Sequence, residues 1–126
     1  MKIEQKVINY KGELEEQIIC TGGVTFDFSD KNVSTYNNKN GEKARLIRIP
    51  IAVTDFKGET DYYSVTLFGK TAEAFIKLGE TGKIKKGMKI LVVGRPEVQE
   101  YTDRDGNQKT SKSIVGTSVE VVKWMN

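Results

Sequence analysis

Between Arg45 and Thr54 the residues alternate without a break, with Ile47, Ile49, Ile51 and Val53 on one side and Arg48, Pro50, Ala52 and Thr54 on the other. A period of two sustained this long marks a strand buried on one face only, and it excludes a helix there. After a turn at Lys57-Gly58-Glu59 the pattern returns. Tyr63, Val65 and Leu67 make the apolar set, while Tyr62, Ser64, Thr66 and Phe68 share the opposite face. Two successive half-buried strands commit the chain to antiparallel sheet, and the remaining residues are read as what completes it.

From Gln17 to Phe28, Ile18, Ile19, Val24, Phe26 and Phe28 predict one long strand, kinked by a bulge at Gly22-Gly23. Residues 29–44 are rich in Asn, Lys, Ser and Asp and read as a mobile connection. Ala72, Phe75, Ile76 and Leu78 predict a helix over 71–78, with Gly79 and Gly82 as its stops. Residues 89–101 read as a strand that Pro96 makes an edge or a bulge. Asp103-Arg104-Asp105-Gly106-Asn107 is a hairpin turn, and a last strand over 110–123 bends at Gly116 and faces Val119 and Val121 inward. Residues 1–16 lack a clean period and are either a hairpin turning at Lys11-Gly12 or a loosely attached arm. The expected class is therefore all-β. Five strands with one short helix between the third and fourth suit an OB-fold barrel over 17–126, preceded by an N-terminal arm or extra strand at 1–16. The apolar first strand of that barrel is expected to have its edge covered by a neighbouring subunit.

The chain has 126 residues, one domain's worth, and neither a membrane span nor a secretory signal is expected from it. It has no histidine, which removes the commonest general base and disfavours catalysis of the Ser or Cys triad kind. Its single cysteine, Cys20, can neither pair internally nor build a four-ligand zinc site, and it reads as a small buried hydrophobe. Neither a metal nor a cofactor is expected. Asp103-Arg104-Asp105-Gly106 opens like a calcium loop, but Ile114 stands where the closing Glu belongs. Gly82-Lys83 lacks the other positions of a phosphate-binding loop. Trp124 and Met125 read as an apolar plug or an interface contact. The net charge of +3 is small, yet Lys83, Lys85, Lys86, Lys89 and Arg95 follow one another with no acid between them.

Tyr62 and Phe68 stand at the two ends of an otherwise small polar face, about 20 Å apart at ~3.3 Å per residue. Rings placed so can stack on unpaired bases while nearby cations neutralise phosphates. The alternative is that one ring covers a barrel end and the other packs under the N-terminal arm. Phe56 beside Lys57, and Tyr101 at the head of a hairpin carrying Arg104, Lys109 and Lys112, repeat the pairing of ring and cation in loops. Arg48 projects onto the polar face. The basic run at 83–89 is either a further contact with nucleic acid or, as charge runs more often are, a solvated loop.

The stretch from Asp61 to Glu73, Asp-Tyr-Tyr-Ser-Val-Thr-Leu-Phe-Gly-Lys-Thr-Ala-Glu, closely resembles a segment of bacterial-type single-stranded DNA-binding proteins. Lys86-Gly87 followed by Ile90-Leu91-Val92-Val93-Gly94-Arg95, and Tyr101-Thr102-Asp103 with Asp105-Gly106, resemble two later blocks of that family. The resemblance covers residues 45–122. It implies an OB-fold that coats single-stranded DNA without sequence preference in replication, recombination and repair, in the cytoplasm of a bacterial cell or of a phage-infected host, at the nucleoid. A homotetramer is favoured over a dimer. Tyr62, Phe68 and Tyr101 would stack on bases, with Phe56 near a fourth stacking position. Arg48, Arg104, Lys109, Lys112, Lys70 and Arg95 would meet phosphates. Two departures stand out. Thr21-Gly22-Gly23-Val24 replaces the family's first-strand pattern, and the sequence stops at Asn126 without an acidic tail that recruits replication proteins. The second departure leads to the expectation of a phage-encoded or mobile-element member, or of a shortened chain. The competing readings are an OB-type module that docks a protein and an RNA binder of cold-shock character.

Overall fold

The computed structural model describes residues 1–125. Among them seven strands run in chain order: β1 (Lys2–Ile8), β2 (Leu14–Val24), β3 (Val33–Asn37), β4 (Lys43–Thr54), β5 (Thr60–Phe68), β6 (Lys89–Thr102) and β7 (Gln108–Lys123), with the helix α1 (Gly69–Glu80) between β5 and β6. The sheet order is β1-β2-β6-β7-β5-β4-β3, and a further pairing of β2 with β4 closes it into a barrel. The architecture is the OB-fold, all-β, with seven strands in place of the five expected. Both additions lie where side-chain pattern is weak; β1 is the hairpin alternative for residues 1–16, turning at Lys11-Gly12, and only β3 was not expected. β1 pairs along its whole length with β2, from Lys2 opposite Cys20 to Ile8 opposite Leu14, so the edge expected to need a neighbouring subunit is covered by the chain's own arm. β3 forms inside the segment read as a mobile connection and pairs with β4 from Val33 opposite Ile47 to Asn37 opposite Lys43.

The barrel is filled from all sides by the residues that alternation points inward. Ile47, Ile49, Ile51 and Val53 of β4 meet Val65 and Leu67 of β5, Ile18 and Cys20 of β2, Ile90 and Val92 of β6, and Ile114 of β7. Truncating one such buried isoleucine to alanine costs about 2–5 kcal/mol, because the cavity collapses only in part. Phe75 and Ile76 close one end from α1. Cys20 is fully buried, and that burial pushes its thiol pKa up.

Several glycines differ in role from their reading in the sequence. Gly22-Gly23 is no bulge, since β2 keeps an unbroken register with β6 from Ile18 to Gly23. It is the place where β2 reaches β4, with Gly23 opposite Ala52, and a Cβ on Gly22 would stand 3.0 Å from the Ala52 carbonyl oxygen. The strand then ends at Val24, and Phe26 and Phe28 pack on the core from a loop. Gly79 lies inside α1 against the ring of Phe28, and the helix runs on to Glu80. Gly82, at φ 77°, makes the turn out of it, which a residue with a Cβ adopts at a cost. Pro96 does lie at a local edge, because β2 leaves β6 at Gly94.

All four hairpins turn in the same way. Asn9, Asn38, Asp55 and Asp103 each accept two backbone N–H bonds on Oδ1, from the residues two and four further on, at 2.9–3.0 Å. Each is followed three residues later by a glycine at positive φ, Gly12, Gly41, Gly58 and Gly106. Asx side chains mimic a backbone turn and glycine supplies the left-handed residue. The two residues between stand at the tip: Tyr10-Lys11, Lys39-Asn40, Phe56-Lys57 and Arg104-Asp105.

Candidate nucleic-acid interface

Directly opposed residues of paired strands share a face, so the register lays out the outer wall of the barrel. Arg48 of β4 stands opposite Thr66 of β5, Thr66 opposite Val115 of β7, and Val115 opposite Arg95 of β6. The next row contains Pro50, Ser64, Ser113 and Glu97. By the same parity Tyr62 and Phe68, and on the other hairpin Lys109 opposite Tyr101, point to this wall. Tyr62 is 69% exposed and Phe68 40% exposed. Neither ring is core. Arg48 sits between them, its guanidinium 3.4 Å from the Ser34 hydroxyl of β3 and otherwise open.

Phe68 is held from the side. Tyr36 of β3 meets it edge-on, with ring centroids 5.4 Å apart and planes at 88°. This geometry suits the ring quadrupoles and leaves a face of Phe68 free. Tyr36 was not among the residues the sequence singled out, because it lies in a stretch whose composition reads as loop. The visible signal was Asn38 followed by Gly41, the same spacing as Asp55 to Gly58 and Asp103 to Gly106.

Phe56 occupies the tip between β4 and β5 and is 96% exposed, without a packing partner among the described residues. Arg104 occupies the tip between β6 and β7. Tyr101 and Lys109 belong to an arm: β6 leaves β2 after Gly94, and β7 pairs with β5 only from Ser113 to Val115, so residues 97–112 pair mainly with each other. Lys112 lies on the opposite side of that arm from Lys109. It bonds the Asp61 carboxylate at 3.1 Å and stands over the Tyr63 ring at 5.9 Å. Lys2 reaches the same carboxylate at 3.3 Å and the Tyr63 hydroxyl at 3.2 Å. Lys112 first, then Lys2, holds the Asp61 carboxyl below the usual carboxylate range. The Tyr63 hydroxyl and Asp61 raise the Lys2 pKa. Arg95 is on the wall but shared between Glu97 at 3.4 Å and Glu15 at 3.9 Å. Lys70 lies just past Phe68, in a cleft of about 410 Å³ with Lys43, Arg45 and Glu73, the last two joined at 2.6 Å. The structure thus brings Tyr62, Arg48, Phe68, Tyr101 and Lys109 to one wall with Phe56 and Arg104 at its rim, and it ties Lys112 and Arg95 to acids.

A closed OB-fold barrel whose outer wall alternates rings and cations defines the class of single-strand nucleic-acid binders. Comparison with known proteins agrees. Residues 16–122 match the model of the Single-strand binding protein family. Single-stranded DNA-binding protein 1 of Clostridium acetobutylicum is 31% identical over 107 residues, covering 85% of this chain and 93% of that protein. The Single-stranded DNA-binding protein of Neisseria meningitidis is 23% identical over 112 residues, which cover 89% of this chain and 54% of the relative. Among solved structures, the mitochondrial single-stranded DNA binding protein Rim1 of S. cerevisiae superposes with a TM-score of 0.56 at 20% identity, over 85% of this chain and 94% of that one. The small single-stranded DNA-binding protein of Streptomyces coelicolor gives 0.55 at 19% identity, with the same coverage. These two likenesses show the fold. The chain belongs to the single-strand binding protein family.

Proposed function

We propose that this protein coats single-stranded DNA without sequence preference, as a non-catalytic binder serving replication, recombination and repair. The observation that carries the reading is the placement of Arg48 between two exposed rings, Tyr62 and Phe68, on one outer wall, with Tyr101 and Lys109 brought to the same side. Bases stack on Tyr62, Phe68 and Tyr101, and Phe56 adds a fourth ring from its tip. Arg48, Lys109, Arg104 and Lys70 meet phosphates. Lys112 and Arg95, already paired with carboxylates, contribute less. No base-edge recognition is needed, since every base has a π-face. The protein acts as a homo-oligomer, a homotetramer in preference to a dimer, in the cytoplasm at the nucleoid. Two outer edges, β1 and β3, are free for assembly.

The test is a salt titration of binding to a fluorescent oligothymidine. The logarithm of affinity should fall with the logarithm of salt by about 0.7 per contacted phosphate. A module that docks protein shows almost no binding, and preference for RNA over DNA of one sequence would assign the wall to RNA instead. A light-scattering mass equal to one chain at micromolar concentration refutes the assembly.

A further inference from the structure

The wall at Tyr62 does not stop at β4. Tyr62 is opposite Ala52, Ala52 opposite Gly23 of β2, Gly23 opposite Lys89 of β6, and Lys89 opposite Lys123 of β7. One row of outward positions therefore crosses the closure of the barrel, over four strand spacings or roughly 19 Å. Its middle is bare: Ala52 has a methyl group, and a Cβ on Gly23 would meet nothing within 4 Å. The floor there is a cleft of about 330 Å³ that also includes Thr54, Gly87 and Lys89, and Met1 and Thr21 border it, the Met1 ammonium donating to the Thr21 hydroxyl and to the Thr54 carbonyl oxygen. Gly87 joins it to a second cleft, of about 360 Å³, lined by Gly82, Lys83, Lys85, Trp124 and Met125. Met125 rests on Gly87, with its Cε 3.3 Å from where a Cβ would stand. Trp124 is 48% exposed. Among the described residues, Lys83, Lys85, Lys89 and Lys123 form no ion pair, in contrast to Lys112 and Arg95.

An unpaired strand leaving Tyr62 thus finds a low floor at Ala52 and Gly23 beside the N-terminal ammonium of Met1, then four uncompensated cations, then an exposed indole. We propose that the bound single strand continues over Ala52 and Gly23 to a second site at Trp124, where the indole stacks on a base and Lys83, Lys85, Lys89 and Lys123 hold phosphates. The proposal rests on the reading of the Tyr62 wall as the first site. It also takes the 83–89 run as a contact with nucleic acid in place of a merely solvated loop.

Trp124 is the only tryptophan of these 126 residues, so its fluorescence reports this site alone in the intact chain. Oligothymidines of about 4 and about 16 residues, the two ends of the range for one OB-fold, distinguish the first site from the continued path. The longer one should quench Trp124 and the shorter one should not. Trp124→Ala should weaken the longer by about tenfold and leave the shorter unchanged, with Trp124→Phe restoring most of the loss. Gly23→Ile, which places a side chain in open space on the floor, should abolish the quenching and leave the shorter oligomer bound. If the longer oligomer binds with its dependence on Tyr62 intact while Trp124 emission stays unchanged, the second site is wrong and the first stands. If neither oligomer binds, the reading of the wall itself fails. Quenching by a glutamate-rich peptide but not by oligothymidine would give the cleft to a protein partner and overturn the proposal.

Discussion

The rings of the β4–β5 wall and the rings of the hairpins have the same chemistry on different supports. Tyr62 and Phe68 stand on a central strand, each paired with β4, and β7 pairs with that strand between them from Ser64 to Thr66. Phe56 stands on a tip closed only by bonds within the turn, from the Asp55 side chain and backbone, and Tyr101 on an arm that pairs mainly with itself. A two-stranded ribbon is marginal without a sheet behind it. Stacking on a rigid ring costs little ordering, whereas a tip must first be immobilised, at about 0.5–1.5 kcal/mol per side chain. Equal exposure therefore does not mean equal affinity.

The largest effect should come from the wall. Tyr62→Ala and Phe68→Ala are each expected to weaken oligothymidine binding by about 1–3 kcal/mol. Thermal midpoints should barely change for Tyr62→Ala. Phe56→Ala and Tyr101→Ala should each cost less, about 1 kcal/mol or below, once ordering is subtracted. Isothermal titration of the four variants decides it, and tip losses exceeding wall losses would invert the comparison.

Phe68 sharpens the contrast because Tyr36 holds it. Tyr36→Ala should weaken binding through Phe68, so in a double-mutant cycle the two losses should fail to add by about 0.5–1.5 kcal/mol. Tyr36→Phe keeps the edge-on ring and should bind normally. Strict additivity would mean that Tyr36 contacts DNA independently or not at all.

How far these features could be read beforehand follows from what sets each of them. β4 and β5 were legible because a buried face writes its period into the residues, as Ile47 to Val53 and Tyr63 to Leu67 do. That parity also placed Tyr62, Phe68 and Arg48 on the wall. β3 was not legible, since a short edge strand with only Val33 and Tyr36 to bury leaves no period, and Tyr36 was lost with it. The pairing of Lys112 with Asp61 joins residues 51 apart and depends on the parallel register of β5 and β7, which no local pattern encodes. Lys112 and Lys109 look equivalent in the sequence and face opposite sides of one strand. Gly22-Gly23 was seen, but its role depends on the strand that approaches it, which lies 29 residues away at Ala52.

Cations divide in the same way as rings. Replacing Arg48 and Lys109 by Gln should lower the salt slope by about 0.7 for each lost phosphate contact, with no change in preference among sequences. Replacing Lys112 and Arg95 by Gln should lower it by less, because their charge is already compensated by Asp61, Glu97 and Glu15. A larger drop from the second pair would mean that DNA displaces the carboxylates.

The smallest effect concerns the root of the arm, where Asp61 takes Lys112 and Lys2 together. Asp61 has its pKa depressed, so its contribution to stability is complete above the unfolded carboxylate value of ~3.9 and is lost as pH falls through the still lower folded value. Lys2 is raised, so its part is present at neutral pH and is lost only as pH climbs past the ordinary lysine range. Across neutral pH the cluster is therefore intact. Both pairs are near half exposed and screened, so Asp61→Asn should cost less than about 1 kcal/mol at pH 7, and the difference from the native protein should vanish in strong acid. The informative readout is local. Amide exchange at residues 97–112 should quicken in Asp61→Asn while the β4–β5 ladder keeps its protection, and the loss from Tyr101→Ala should shrink while that from Tyr62→Ala stays the same. If the arm exchanges at the native rate, its position is set by the hairpin alone, and the difference between wall and arm comes from strand pairing without help from the ion pairs.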